Sequence, residues 1–176
     1  MPMFRVARVS DARAVAELAE NTFRDTFAAH NCAQDMDAHC LSSYGEAIQA
    51  AEISSASRVT LVAEHDKRLV AYAQMKWGEA PDCVLADSPG EIHRLYVDKN
   101  WHGKGLAHEL MTACLKVLQE RQTDVTWLGV WERNPRAISF YSKFDFREVG
   151  DQAFRLGADV QRDIVMVRKS EYFEPE

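Results

Sequence analysis

Residues 91–122, EIHRLYVDKNWHGKGLAHELMTACLKVLQERQ, leave this chain little freedom in how it folds. Alternating β-prone residues (Ile92, Leu95, Tyr96, Val97) give way to turn chemistry at Asp98-Lys99-Asn100 and then to a glycine-rich turn, His102-Gly103-Lys104-Gly105. Beyond the turn, Leu106, Leu110, Cys114, Val117 and Leu118 recur at helical spacing with Met111 beside them, which predicts a long amphipathic helix. Strand, glycine turn and helix in that order aim free backbone N–H groups at an anion, and the helix dipole adds to the attraction. Glycine permits φ > 0 and a close approach to a phosphate. A phosphate-bearing ligand at the start of this helix is the first expectation.

The turn is not a mononucleotide P-loop, because no G-x-x-x-x-G-K-[ST] occurs. It is not a dinucleotide fingerprint either, since the third glycine position is His108. It does match a [Q/R]-x-x-G-x-[G/A] loop after a strand ending in Tyr-Val, read here as His102-Gly103-Lys104-Gly105-Leu106-Ala107. Downstream, WLGVWERNPRAISFYSKFDF (127–146) continues as a strand and then a helix, with Asn134 as N-cap and Pro135 at the first helical position.

On these two blocks, residues 91–146, the sequence resembles the GNAT superfamily of N-acetyltransferases. The second block is similar to that family's N-x-x-A-x-x-[F/L]-Y-x-x-x-G-F helix. Residues 22–36 (TFRDTFAAHNCAQDM) and the W-L-G-V-W-E-x-N core further resemble the bacterial spermidine/spermine (polyamine) acetyltransferases. The resemblance implies an α/β fold whose mixed, mostly antiparallel sheet is splayed at its centre and flanked by helices. It also implies acetyl-CoA as acetyl donor. The backbone of Leu95, Tyr96 and Val97 would pair with the pantetheine arm, and His102, Gly103, Lys104, Gly105, Leu106 and Ala107 would bind the pyrophosphate. Asn134 and Tyr141 would lie near the acetyl end, with Lys143 as a phosphate contact. Phe23, Phe27, His30 and Asp35 would be acceptor contacts, because in such folds this region lies over the substrate cleft.

Two departures stand out. His102 occupies a position usually held by Arg or Gln, so a permanent charge is missing, and Lys104 and the backbone amides are expected to compensate. A titrating His102 would then weaken donor binding at high pH. Asp145 replaces the glycine usual before the final Phe, at a helix end where a left-handed residue is expected.

The chemistry sets two demands. An alkyl amine with a pKa of ~10.4 is protonated at pH 7, and exposing its lone pair costs on the order of 4–5 kcal/mol. A general base is therefore needed. Strand alternation puts Glu91 and His93 on one face with Leu95 and Val97, and Ile92, Arg94 and Tyr96 on the other. Glu91 is the first choice and His93 the second; a Glu91 merely paired with Arg94 or a lysine is the alternative. Some family members carry a glutamate where this chain has Gly129, so that option is closed to residue 129. The leaving thiolate needs a proton or a hydrogen bond, and Tyr141, in the family's F-Y pair, is the general acid the resemblance implies. Full transfer from a phenol of pKa ~10 to a thiolate of pKa ~8.5 is uphill by roughly 2 kcal/mol, so hydrogen bonding to sulfur is as good an account.

The rest of the chain bounds this reading. A length of 176 residues predicts one domain, 1–176, and a formal charge of −6 argues against nucleic acid or an anionic membrane as partner. No apolar run reaches transmembrane length and the start carries no signal-peptide core, so a cytoplasmic location is expected. The four cysteines show no C-x-x-C spacing and are expected to be reduced; His30, Cys32, His39 and Cys40 lack zinc spacing, and no metal is expected. A strand over 4–9, a helix capped by Ser10-Asp11, a broken, surface-leaning helical region over 30–57 and a hairpin over 58–77 precede the central unit. A loop covers 79–90, and strands over 147–155 and 163–168 joined through Gly157 close the chain. Gly129 inside its strand predicts a bulge or a close approach. The expected function is transfer of acetyl to a primary amine, with a polyamine favoured. A protein N-terminus or lysine as acceptor, or a non-catalytic acyl-CoA sensor, are the alternatives. A homodimer stays open, with Trp77, Trp101 and Trp131 able to serve as core or pocket.

Overall fold

The computed structural model describes residues 1–171. Strands β1 (Met3–Val6), β2 (Arg58–His65), β3 (Arg68–Trp77), β4 (Pro89–Val97), β5 (Val125–Trp131), β6 (Arg147–Leu156) and β7 (Asp159–Lys169) join in one sheet of order β1-β2-β3-β4-β5-β7-β6. Every neighbouring pair is antiparallel except β4 with β5, which is parallel. Helices α1 (Ala12–Phe27), α2 (Ala33–Ser43), α3 (Glu46–Ile53), α4 (Leu106–Glu120) and α5 (Pro135–Ser142) flank it. The mixed, mostly antiparallel α/β sheet is the architecture anticipated above. No helix among the described residues is long and apolar enough to cross a membrane.

Each face of the sheet carries its own core. On one face, the stripe Val15, Leu18, Ala19, Phe23 and Phe27 of α1 packs with Met36, Tyr72 and Trp131. On the other, Leu106, Leu110, Met111, Cys114 and Leu118 of α4 cover Ala73, Met75, Ile92, Val97 and Leu128, with α5 packed alongside. A buried stripe of this kind, not helix propensity, holds such helices in place.

Several boundaries differ from expectation for identifiable reasons. β1 ends at Val6, because Val9–Asp11 form a 3₁₀ turn. The Asp11 carboxylate does not cap α1; it accepts the Arg8 backbone N–H at 2.7 Å and N–H groups of the two terminal guanidinium nitrogens of Arg5. Region 30–57 is two helices broken at Tyr44-Gly45. It is less surface-leaning than its polarity suggests, since Met36, Cys40, Tyr44 and Gln49 are all buried. The β2–β3 turn places Asp66 and Lys67 at φ 48° and 62°, the paired left-handed geometry of a two-residue hairpin. β7 starts four residues earlier than predicted, because Gly157 and Ala158 alone make the turn from β6. Asp145 adopts φ 64°, as expected at the end of α5. All four cysteines are free.

Candidate active site

β4 and β5 pair only through Pro89, Gly90 and Glu91 against Val125, Thr126 and Trp127. Beyond that point each strand turns to its outer neighbour alone: Leu95, Tyr96 and Val97 pair with β3, and Leu128 to Trp131 pair with β7. The sheet therefore opens into a V whose two inner edges carry backbone N–H and C=O groups without a ladder partner. Such edges are templates for an extended chain bearing amides.

At the mouth of the V, the glycine turn leads into α4. Gly103 and Gly105 take φ 74° and 82°, and a Cβ on either would meet nothing within 4 Å, so backbone conformation and not space demands glycine. The first intrahelical bond runs from Glu109 N–H to Gly105 O at 3.1 Å, which leaves the N–H groups of Leu106, Ala107 and His108 available at the positive end of the helix. Lys104 lies over the Trp101 ring. His102 Nε2 meets the Val97 carbonyl at 2.9 Å, and its Nδ1 faces Arg136 at 3.4 Å. In the arrangement that satisfies both contacts, Nε2–H donates to the carbonyl and Nδ1 accepts from the Arg136 guanidinium. Beside Lys104 and the backbone amides, from which compensation was expected, the guanidinium of Arg136 also reaches the loop from α5. The Arg residue was unreadable because it lies 34 positions downstream.

The alternation assumed for β4 does not hold. Gln74 pairs with Arg94 while Met75 pairs with Ile92, so His93 is an extra residue on β4, a bulge. The bulge resets the faces. Ile92, Leu95 and Val97 point to the α4 core, whereas Tyr96 stacks on Tyr72 in the α1 core and Arg94 reaches Glu52 of α3 at 2.6 Å. Leu95 and Val97 are thus separated from Glu91.

Glu91 and His93 remain together. Glu91 Oε1 lies 3.2 Å from His93 Nδ1, and Oε2 lies 3.5 Å from Lys76 Nζ. Burial pushes the His93 imidazole below its usual pKa, against the opposing hydrogen bond to Glu91, so the ring is neutral at pH 7. This carboxylate sits where β4 and β5 still pair, at the closed end of the V.

Tyr141 comes from the opposite face. It packs beside Phe140 and Phe146 on the α4 side of the sheet. Although the residue keeps some exposed surface, burial around its phenol oxygen pushes the pKa well up, helped by Tyr96 and Cys114. It is therefore a hydrogen-bond donor at any physiological pH. Tyr96, whose phenol burial pushes up to about 12, feels Arg94 and Asp163 as well. Asn134 caps α5, its Oδ1 accepting the Ala137 N–H at 3.1 Å, and Lys143 is exposed at the helix end.

Gly129 is a close approach rather than a bulge, since the β5–β7 register runs through it unbroken. A Cβ there would lie 2.6 Å from Gln152 Nε2 and 3.1 Å from Asp163 Oδ2. Two polar side chains, from β6 and β7, thus fill the space a side chain at 129 would take. Neither was singled out in the sequence, where Asp163 looks like the polar start of an apolar strand.

Beside this spot a cleft of about 440 Å³ opens, lined by His30, Trp131, Glu132, Asp151, Gln152 and Arg162 among others. The expected acceptor contacts divide here. His30 lines the cleft and Phe27 packs on Trp131. Phe23 is fully buried in the core, and Asp35 accepts the Ala158 N–H of the β6–β7 turn.

Residues 16–146 match the Acetyltransferase (GNAT) family. The chain is 35% identical over 165 residues to an uncharacterized N-acetyltransferase of Mycobacterium tuberculosis, covering 92% of this chain and 99% of that one. It is 29% identical over 89 residues to a probable spermine N(1)-acetyltransferase of Bacillus subtilis subsp. natto, covering 49% of this chain and 57% of the relative. Its fold superposes with a TM-score of 0.76, at 20% identity and over 97% of this chain and 99% of the other, on the PaiA N-acetyltransferase of Thermoplasma acidophilum solved with coenzyme A.

Proposed function

As a member of the acetyltransferase (GNAT) family, to which this chain belongs, the protein is an acetyl-CoA-dependent N-acetyltransferase, and we propose that its acceptor is the primary amine of a small polyamine such as spermidine or spermine. The observation that carries the proposal is the cleft beside Trp131, which places Glu132, Asp151 and Asp159 around a space large enough for a short polycation. Arg133 and Arg162 share that wall, and Arg162 is held by Glu132 at 3.2 Å and Asp151 at 2.9 Å. A polyamine's distal ammonium groups can exchange with Arg162 for these carboxylates while one terminal amine reaches the V. A relative described as a probable spermine N(1)-acetyltransferase supports the same class.

The residues present suit the acetyl donor. The inner edges of the V at Leu95, Tyr96 and Val97 would hold an amide-bearing arm. The turn from His102 to Ala107, with Lys104, Arg136 and the first N–H groups of α4, would hold phosphates; Lys143 is a further cation at the end of α5. The donor supplies the thioester carbonyl. Tyr141, kept protonated by burial, donates a hydrogen bond to the departing sulfur.

The test is release of free thiol from acetyl-CoA with spermidine, spermine, small diamines, amino acids and a peptide bearing a free N-terminus. Turnover is expected with the polyamines, and Tyr141→Phe lowers it by on the order of 10²-fold while donor binding persists. Turnover on the peptide alone moves the acceptor class to proteins. Donor binding without turnover on any amine makes the chain a sensor.

A further inference from the structure

We propose that Asp163 of β7 is the general base of the transfer, taking the proton of the acceptor ammonium as the amine arrives from the cleft beside Trp131. The inference rests on the N-acetyltransferase reading and names a residue for it.

Three observations place Asp163 there. Its Oδ2 lies 3.1 Å from where a side chain at Gly129 would begin, in the half of β5 that has parted from β4. Its register partners are Trp131 on β5 and Gln152 on β6, both of which line the cleft. It shares a face with Tyr96, whose phenol it influences, and Tyr96 in turn influences Tyr141. Acceptor cleft, carboxylate and the two phenols thus run across the open V, with Asp163 and Tyr141 approaching from opposite sides of the sheet.

The electrostatics agree with this placement. Asp163 is 9% exposed, and burial alone raises its pKa from 3.8 to about 6. The groups facing it are the Tyr96 phenol from β4, the neutral Gln152 amide from β6 and, beyond Trp131, the His30 imidazole. Arg162, next to it in sequence, is turned to Glu132, Glu148 and Asp151. A buried carboxylate with no neutralising cation among the described residues is ionised at pH 7 yet basic enough to accept a proton. Glu91, by contrast, is tied to Lys76 and His93 at the closed end.

The protons balance as follows. Asp163 takes one proton from the ammonium and later returns it to solvent. The free amine nitrogen forms a C–N bond to the acetyl carbonyl carbon while the C–S bond breaks. The sulfur leaves hydrogen-bonded to Tyr141, which stays protonated, and becomes the free thiol by taking the second proton lost from nitrogen. The net release is one proton per turnover, with amide and free thiol as products.

The deciding experiment is the pH dependence of kcat/KM from pH 5 to 10 on the best amine of the panel, for the wild type, Asp163→Asn, Asp163→Glu and Glu91→Gln. The expected wild-type profile rises through an acid limb near pH 6. Asp163→Asn loses that limb and at least 10²-fold of kcat/KM at pH 7.5, recovering towards pH 10 where solvent deprotonates the amine, with unchanged affinity for CoA. Asp163→Glu keeps a displaced limb, and Glu91→Gln keeps the wild-type one. A wild-type profile without a limb between pH 5.5 and 6.5 overturns the proposal without any variant. So does an Asp163→Asn enzyme within threefold of wild type, or one that keeps the limb, which would then belong to another group. Absence of wild-type turnover on every amine sinks the N-acetyltransferase reading itself, and with it this one.

Discussion

Glu52 and Asp163 are both acidic residues packed against the α1 face of the sheet, and they are treated in opposite ways. Burial would raise the pKa of Glu52, but Arg94 at 2.6 Å, the Gln74 amide at 2.8 Å and Arg58 at 3.6 Å outweigh it and leave the pKa lowered. Asp163 is more deeply buried, with no cation paired to it among the described residues, and its pKa rises to about 6. One carboxylate has had its burial compensated and serves as a structural clasp between α3 and the central strands. The other is left uncompensated, an arrangement that costs stability and creates a base. Perturbation without a partner is the mark of chemistry here; perturbation with partners is the mark of architecture.

The largest expected effect that could break this contrast comes from Glu52→Ala. It strands Arg94 beneath α3, and urea unfolding at pH 7.5 should show a loss of roughly 3–5 kcal/mol. A loss below 1 kcal/mol would remove Glu52 from its structural role. The sign of its pH dependence follows from the lowered pKa: the stabilisation is present above the ordinary pKa of 4.5 and disappears as pH falls below it.

Asp163→Asn should move stability the other way. Its folded-state pKa is raised, so its favourable contribution exists below pH 3.8 and is lost as pH rises through about 6. Removing the charge should therefore stabilise the protein at pH 7.5 by up to about 3 kcal/mol, with the gain shrinking to nothing below pH 4. Equal unfolding midpoints for variant and wild type at pH 7.5 would show that the buried charge is not uncompensated. A more stable but inactive variant is the pattern a strained catalytic group leaves.

Glu91→Gln is the smallest change and calibrates the scale between the other two. Its carboxylate keeps Lys76 and His93 as partners. Loss of those contacts should cost about 1 kcal/mol in the same unfolding assay and leave the acid limb of the rate profile in place. A loss as large as that of Glu52→Ala would mean that the clasp extends to the closed end of the V.

Features written in local order were legible. The glycine turn, the amphipathic period of α4 and the Asn134-Pro135 start of α5 depend on residues within a few positions of one another, and each appears where the pattern placed it. The faces of β4 were not legible. One extra residue at His93 reverses every assignment beyond it, and a bulge arises from how β4 pairs with β3, not from its own composition. The same limit hid Asp163. Gly129 correctly announced a close approach, but the identity of the approaching groups depends on pairing with residues 23 and 34 positions later.

By itself, then, the amino-acid order of this chain determined the strand–turn–helix unit, the α/β class and the left-handed glycine turn at the start of α4, because these follow from backbone conformation and short-period burial. Tertiary structure alone decided where the sheet parts, that Arg136 comes to lie against His102, and that the carboxylate at the open V is Asp163 rather than Glu91. Those outcomes depend on which distant strands share an edge and which buried charge is left without a partner, and neither property belongs to any single stretch of sequence.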